Sequence, residues 1–378
     1  MASEQIFTNA KIVLPDRIIE GNVVIDDGMI AQLDEGSSSK GEDFTGDYLI
    51  AGLVELHTDH LEAHYLPRPG VRWNMQAALL AHDAQIATSG ITTVFDCLRI
   101  GMQYDDFEPG EVRTMADAIL TMQTEDKLRS EHFLHLRCEV SSSQALAEFA
   151  TFDDHEDVRL VSLMDHAPGQ RQFQSIDQYE LYFKTKKGLN DEEFERFVRH
   201  RISESQKFSQ PQRREIAEKC WTRGISLASH DDATIEHVHE AVRDHVRIAE
   251  FPTSVEAAAA SIENGMSVLM GAPNVVRGRS HSGNVSAREL AAAGHLQILS
   301  SDYVPSSMLH APFVLAEEVD SISLPQALTL VTDEPAKAVG LDDRGRIEVG
   351  RRADFIRVCR DQGPPVVRAV WREGKRVA

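Results

Sequence analysis

The chain has 378 residues, of which 42% are hydrophobic and 26% are charged, enough apolar material for one large domain with a small companion. Its 60 acidic and 39 basic residues give a net charge of −21, which disfavours a nucleic-acid partner because binding to a polyanion depends on positive charge. The sequence has no run of 18 apolar residues and no secretory signal at its N-terminus. The four cysteines form no CxxC pair, so we expect a cytoplasmic protein without a membrane partner.

Short strands joined by turns are predicted at both ends of the chain. Lys11–Leu14 and Asn22–Ile25 have strand character, and Asp26-Asp27-Gly28 is a turn signal. Strands are also predicted in Gly345–Val349, in Arg351–Ile356 and, twice, between Val366 and Val377. We therefore expect a small β-sandwich domain formed by residues 1–50 and 336–378.

The middle of the chain, residues 51–335, alternates strands with helices, the pattern of a parallel sheet with crossover helices. A charged helical insertion is predicted from about Asp177 to Arg223. Eight strands are predicted, the number that a (β/α)8 TIM-type barrel needs. They are Leu49–Thr58, Thr92–Asp96, Phe133–Val140, Arg159–Asp165, Ile225–Ser229, Val246–Phe251, Met266–Gly271 and Leu296–Ser301.

Ionisable side chains follow five of these strands at the same end. A single His-x-Asp pair is more typical of an ordinary core or turn histidine, but five apolar strands ending alike favour a shared site. Because burying that many ionisable groups is costly without a cation, we predict one or two divalent ions, of zinc, manganese, iron or nickel. The predicted ligands are His57, Asp59, Glu139, His166, His230 and Asp302.

The stretch Gly271–Asn284 follows an apolar strand, and we expect it to be a loop at the barrel mouth. Arginines present fork-shaped donors that suit phosphate oxygens, and glycines let the backbone approach a ligand closely. For any single arginine, pairing with a surface acid is about as good an explanation. The predicted substrate contacts are Arg277, Arg279, Ser280, His281, Asn284, Arg68 and Arg99.

The sequence resembles the amidohydrolase superfamily from Leu49–Val54 to Gly350–Phe355. The resemblance implies a distorted barrel flanked by a β-sandwich from both termini. It also implies a first-strand His-x-His, a bridging ligand, two later histidines and a final-strand aspartate. Two features depart from the pattern. Asp59 replaces the second histidine, although His60 stands beside it, and His166 and His230 follow the fourth and fifth predicted strands rather than the fifth and sixth.

More narrowly, the chain resembles the α-D-ribose 1-methylphosphonate 5-triphosphate diphosphatases of phosphonate breakdown. The stretches that carry this resemblance are Val54–Glu62, Pro67–Val71, His135–Glu139 and Gly271–Asn284. It implies attack of a metal-activated water on the α-phosphorus and release of pyrophosphate, with Asp302 as proton acceptor and Glu139 bridging two metals or holding one. The implied partner is a small phosphorylated or phosphonylated ribose; we also expect a homo-oligomer and contacts with other phosphonate-pathway proteins.

Two other functions stay open. A hydrolase of C–N bonds, such as a cyclic amidase or deaminase, would use the same barrel but not the arginines near Gly278. A catalytically inactive scaffold would be expected to lose metal-binding residues, and the aspartate at position 59 is the one feature that favours such a loss. Other polar residues also have structural explanations: His82 and Asp83 as polar-face helix residues, Asp96 as a cap, and His60, Glu62 and His64 as loop residues or substrate contacts.

Overall fold

The computed structural model describes residues 4–101, 107–108, 110–171, 179, 189–278 and 284–378. Their strands, numbered in chain order, are β1 (Gln5–Val13), β2 (Ile18–Asp26), β3 (Met29–Glu35), β4 (Glu42–Asp43), β5 (Tyr48–Ala51), β6 (Leu53–Thr58), β7 (Ile91–Ile100), β8 (Glu131–Glu139), β9 (Val158–Met164), β10 (Ser226–His230), β11 (Ile248–Glu250), β12 (Ser267–Gly271), β13 (Ile298–Ser300), β14 (Phe355–Cys359), β15 (Val366–Arg372) and β16 (Lys375–Arg376).

The helices in the same residues are α1 (His60–Tyr65), α2 (Met75–Thr88), α3 (Glu111–Thr124), α4 (Ala145–Ala150), α5 (Asp191–Arg223), α6 (Ile235–Arg243), α7 (Val255–Glu263), α8 (Ala272–Arg277), α9 (Ala287–Ala292), α10 (Ser307–Glu318), α11 (Leu324–Thr329) and α12 (Asp333–Ala338). None of these described helices is long and apolar enough to cross a membrane.

The predicted parallel barrel is confirmed. Eight strands follow one another in the order β13-β12-β11-β10-β9-β8-β7-β6, and each pairing with a described register is parallel. A parallel bridge between Thr58 and Asp302 joins the ends of the first and last strands of that order. The strand count is confirmed as well: β9 is the fourth barrel strand and β10 the fifth, and the described residues from 141 to 157 contain no strand.

Strands from both termini form a separate, mainly antiparallel sheet, as expected. They make one continuous hydrogen-bonded order, β16-β15-β14-β5-β1-β2-β3, with β4 beside β1. Phe7 packs 4.8 Å from Trp371 and 5.0 Å from Phe44, measured between ring centroids. Aromatic packing of this kind joins the first fifty residues to the end of the chain in one core. The boundaries after residues 50 and 335 stay predictions.

Two details of the predicted strands are wrong. Gly345–Val349 contains bends and a turn but no strand, and the nearby strand is β14, which begins at Phe355. Leu49–Thr58 is two strands: β5 pairs with β14 in the terminal sheet, and β6 pairs with β7 in the barrel. Gly52 separates them because its N–H donates to the Asp354 carbonyl, while the next N–H, of Leu53, donates to Gly90.

Compact packing divides the chain into two units. The first unit comprises residues 1–96, 117–133 and 270–378, and the second comprises residues 97–116 and 134–269. The insertion predicted from about Asp177 is confirmed as helix over Asp191–Arg223, and Tyr179 is buried. Residues 177–178 and 180–188 of that prediction lie outside the described residues.

Gly52→Ala tests the break between β5 and β6. A Cβ at this position would lie 2.2 Å from Thr92 Oγ1, so we expect the free energy of unfolding to fall by about 1–3 kcal/mol through overpacking. Thr92→Ala in the same chain removes Oγ1 and Cγ2 and should restore part of that loss, which urea unfolding of both single variants and the double variant measures. Strictly additive effects would contradict this close approach.

Candidate metal-binding and active site

The first unit brings His57, Asp59 and Asp302 together through backbone pairing. The Asp302 N–H donates to the His57 carbonyl, and the Asp59 N–H donates to the Asp302 carbonyl, each at 3.1 Å. His57 is buried, and Asp59 is the N-cap residue of α1. Asp302 has φ +53°, a left-handed conformation that is uncommon for residues other than glycine and recurs at functional sites.

Glu55 is a buried carboxylate that is not among the predicted site residues. Its two oxygens accept the backbone N–H groups of His57 and Ser301, each at 2.6 Å, and so join β6 to the end of β13. Burial raises the pKa of Glu55 to about 7 in spite of these hydrogen bonds. An acid two residues before His57 in an apolar strand was the available signal, because such residues share one face.

The second unit brings Glu139, His166 and His230 near Asp231. Glu139 Oε2 lies 2.8 Å from His166 Nδ1, and the Arg201 guanidinium lies 3.1 Å from Glu139 Oε1. Burial alone would raise the pKa of Glu139, but His166 and Arg201 lower it to about 2. For His166, burial alone would lower the pKa, but Glu139 and Asp231 raise it to about 9.

His230 is held in a similar way. Its Nδ1 lies 2.6 Å from Glu250 Oε2, and Glu250 also accepts a hydrogen bond from Ser162 at 2.7 Å. The remaining nitrogen, Nε2, lies 3.3 Å from Asp231 Oδ2, and His166 Nε2 lies 3.6 Å from the same oxygen. Two imidazoles, each oriented by a carboxylate on Nδ1, therefore turn Nε2 toward one aspartate oxygen, an arrangement typical of metal-binding histidines.

Asp231, Glu250 and Arg201 were missed as site residues. Asp231 follows His230 directly and has φ +58°, while Glu250 ends the apolar strand β11. Both match the pattern of a polar residue at a strand end that selected the other ligands. Arg201 had no such signal, because it lies within the long, charged α5, yet it is only 5% exposed.

The predicted substrate residues lie in several elements. Arg277 is exposed at the end of α8, Arg68 is exposed in the turn before Val71, and Arg99 is half-buried in β7. Asn284 is half-buried, whereas Arg279, Ser280 and His281 lie outside the described residues. The expectation that Gly271–Asn284 is a loop is wrong for its first part, since residues 272–277 form α8. Near the end of α8, the carbonyls of Val275 and Val276 accept hydrogen bonds from Arg288.

His82, Asp83 and Asp96 are buried in the first unit, so assigning His82 and Asp83 to a polar helix face is wrong. Asp96 lies 2.7 Å from His82 Nε2 and 2.7 Å from His132 Nδ1. Asp83 accepts the N–H groups of Arg129 and Ser130 and lies 3.4 Å from His132 Nε2. Burial alone would lower the pKa of His132, but Asp96 and Asp83 raise it to about 9.

Comparison with known proteins gives a consistent relationship. The amidohydrolase family profile matches residues 110–378. Alpha-D-ribose 1-methylphosphonate 5-triphosphate diphosphatase of Escherichia coli strain K12 is 46% identical over 376 residues, which cover 98% of this chain and 100% of that protein.

Solved structures resemble the fold at low identity. N-acetylglucosamine-6-phosphate deacetylase from Pasteurella multocida matches with a TM-score of 0.67 and 14% identity, covering 99% of each chain. Dihydropyrimidinase from Brevibacillus agri matches with a TM-score of 0.63 and 14% identity, covering 99% of this chain and 95% of that one. At such identity these structures support the fold alone.

Because the pKa of His132 is raised, we expect the free energy of unfolding to depend on pH. Its pKa is about 9 in the folded chain against 6.5 for an unperturbed histidine, so the folded state keeps a proton that the unfolded state releases. The resulting stabilisation is fully present below pH 6.5 and is lost as the pH rises through 9. Urea unfolding with chelator present should show the advantage of the native chain over His132→Gln shrinking from pH 6 to pH 9.5. An advantage independent of pH would contradict the assignment.

Proposed function

Because the chain belongs to the amidohydrolase family, we propose that it hydrolyses α-D-ribose 1-methylphosphonate 5-triphosphate to the 5-phosphate and pyrophosphate. The observation that carries the proposal is the 46% identity, over almost the whole chain, with the Escherichia coli diphosphatase. The chain is a metal-dependent hydrolase of phosphonate catabolism, and the exact substrate is the part that we infer from the relative.

The donor atoms in the second unit fit a divalent ion. Asp231 Oδ2 is buried without a hydrogen-bond partner, and the Nε2 atoms of His230 and His166 lie 3.3 Å and 3.6 Å from it. Imidazole and carboxylate donors together suit zinc, manganese, iron or nickel. When bound, such an ion supplies Lewis acidity and lowers the pKa of water to near 7. We propose His166, His230 and Asp231 as ligands, with Glu250 fixing the orientation of His230.

The remaining predicted ligands are kept in the proposal on the strength of the family resemblance. They are His57, Asp59, Glu139 and Asp302. Glu139 already bonds to His166 and Arg201, so its role in this proposal includes orienting His166. The proposal covers one or two bound divalent ions, of zinc, manganese, iron or nickel.

Asp302 is the proposed proton acceptor. Its position is set by two backbone hydrogen bonds to the segment that carries His57 and Asp59, and by the strained conformation at its own φ. A carboxylate fixed in this way can accept the proton of an attacking water without reorganising. The same carboxylate then returns that proton to solvent or to the leaving group.

Arginines supply the proposed contacts to the phosphates. Arg277 is exposed at the C-terminal end of α8, where Gly278 adopts a left-handed conformation, and its guanidinium is available to an anion. Arg68, Arg99, Arg279, Ser280, His281 and Asn284 complete the proposed set. A cytoplasmic location, a homo-oligomeric state and contacts with other phosphonate-pathway proteins stay predictions.

Pyrophosphate release from metal-loaded protein tests the proposed reaction. The ribosyl 5-triphosphate should yield one pyrophosphate per turnover, and cyclic amides should stay closed. Asp302→Asn should lower kcat by about 10²–10⁴-fold, because a positioned proton acceptor contributes about that much. Asp320→Asn, at an exposed aspartate just after α10, is the matched control and should behave as the native chain.

Opening of a cyclic amide without pyrophosphate release would contradict the proposal and favour the C–N hydrolase. Equal kcat values for Asp302→Asn and Asp320→Asn would contradict the role of Asp302 as proton acceptor.

Arg277→Ala tests substrate binding separately from metal binding. Losing a charged hydrogen bond to a phosphate costs about 1.5–3 kcal/mol, so KM should rise about tenfold to a hundredfold while the metal content stays unchanged. Arg243→Ala is the control, since Arg243 is likewise exposed and is the last residue of α6. Loss of metal from Arg277→Ala, or equal KM values for the two variants, would contradict this role.

A further inference from the structure

Three histidines gather in the first unit apart from the proposed strand-end ligands. His60 and His64 lie four residues apart in α1, which places them on one face of the helix, and His82 lies in α2. Ring centroids are 4.8 Å apart for His60 and His64, 5.7 Å for His60 and His82, and 6.1 Å for His64 and His82. One ring nitrogen of each lies within 4.8 Å of one ring nitrogen of the others.

Each histidine also has a buried ring nitrogen without a hydrogen-bond partner. These atoms are Nδ1 of His60, Nε2 of His64 and Nδ1 of His82. Buried polar atoms are nearly always hydrogen-bonded in native proteins, so three exceptions in one cluster call for a common explanation. Neutral imidazole is the form that binds metal ions.

A carboxylate orients the most deeply buried of the three. His82 is 0% exposed, and its Nε2 lies 2.7 Å from Asp96 Oδ1. Asp96 is in turn fixed through its other oxygen, 2.7 Å from His132 Nδ1. A carboxylate that accepts a hydrogen bond from Nε2–H leaves a lone pair on Nδ1, and metal-binding histidines are commonly oriented by a carboxylate in this way.

We propose that His60, His64 and His82 bind a metal ion of the zinc class at a site additional to the strand-end ligands. Three imidazoles suit zinc, copper or nickel, and zinc–nitrogen distances of about 2.0–2.1 Å require the three rings to turn closer together than the 4.8 Å within which their nitrogens lie. The bound ion would join α1 to α2 and so fix the segment that directly follows His57 and Asp59. The fourth coordination position is left to water or to a ligand.

Metal stoichiometry tests the site. Chelator-stripped protein is titrated with Zn²⁺ in competition with a chromophoric chelator, comparing the native chain with His64→Gln. The native chain should bind one equivalent per chain more than the variant. His295→Gln is the matched control, because His295 is half-buried and also has an Nδ1 without a hydrogen-bond partner, but lies away from these helices in sequence. It should bind as the native chain does.

Asp96→Asn separates ligation from orientation. This variant should keep the additional equivalent but bind it about 10–100-fold more weakly, because loss of a carboxylate that orients a metal-binding histidine weakens binding by about that much. Equal numbers of equivalents and equal affinities in the native chain, His64→Gln and Asp96→Asn would overturn the proposal.

Anomalous diffraction at the zinc edge, from crystals of the native chain grown with stoichiometric Zn²⁺, decides the question even where a variant fails to fold. A peak among the three imidazoles is expected. No peak there, with peaks only at other residues, would show that the histidines pack without metal and would overturn the proposal while leaving the diphosphatase assignment untouched.

Discussion

A buried ionisable group is stable only when a hydrogen bond or an opposite charge replaces the water it has lost, and this chain places many such groups at strand ends. The pairs Glu139–His166 and Glu250–His230 in the second unit show how the requirement is met. Each carboxylate accepts a hydrogen bond from one imidazole nitrogen and leaves the other nitrogen directed at Asp231. The hydrogen bonds that stabilise the buried histidines also leave their Nε2 atoms facing Asp231, and a divalent ion could bind to donors placed in this way.

The first unit solves the same problem with backbone groups. Glu55 accepts two main-chain N–H groups, one from each of the strands that it connects, and thereby sets the relative position of His57 and Asp302. Gly52 is needed a few residues earlier, because the chain passes there from the terminal sheet into the barrel at a point too close to Thr92 for any side chain. Fold and site are thus specified by the same short segment.

Much of the architecture was predictable because it depends on local pattern. Eight apolar strands alternating with helices specify a parallel barrel. Polar residues at the ends of five of these strands were the basis for predicting the metal ligands, which are His57, Asp59, Glu139, His166, His230 and Asp302. Asp231 and Glu250 carried the same strand-end signal and could have been found with it. Arg201 could not, because its role depends on a contact with Glu139, which lies 62 residues away in the sequence.

The errors have physical causes of the same kind. His82 and Asp83 occupy a helix whose periodicity suggested a polar face, but partners on β7 and around His132 make their burial favourable. The position of Gly271–Asn284 directly after an apolar strand suggested a loop, whereas Ala272-Pro273-Asn274 starts α8 and Arg288 donates to the carbonyls near its end. In both cases a tertiary contact outweighed the local signal.

The central claim, that a water attacks the α-phosphorus of a ribosyl triphosphate, is tested most directly by hydrolysis in H₂¹⁸O. Mass spectrometry or the isotope shift in ³¹P NMR locates the label in the products. We predict that the ¹⁸O appears in the ribosyl 5-phosphate and that the pyrophosphate is unlabelled. Label in the pyrophosphate would place the attack on the β-phosphorus and would contradict the account.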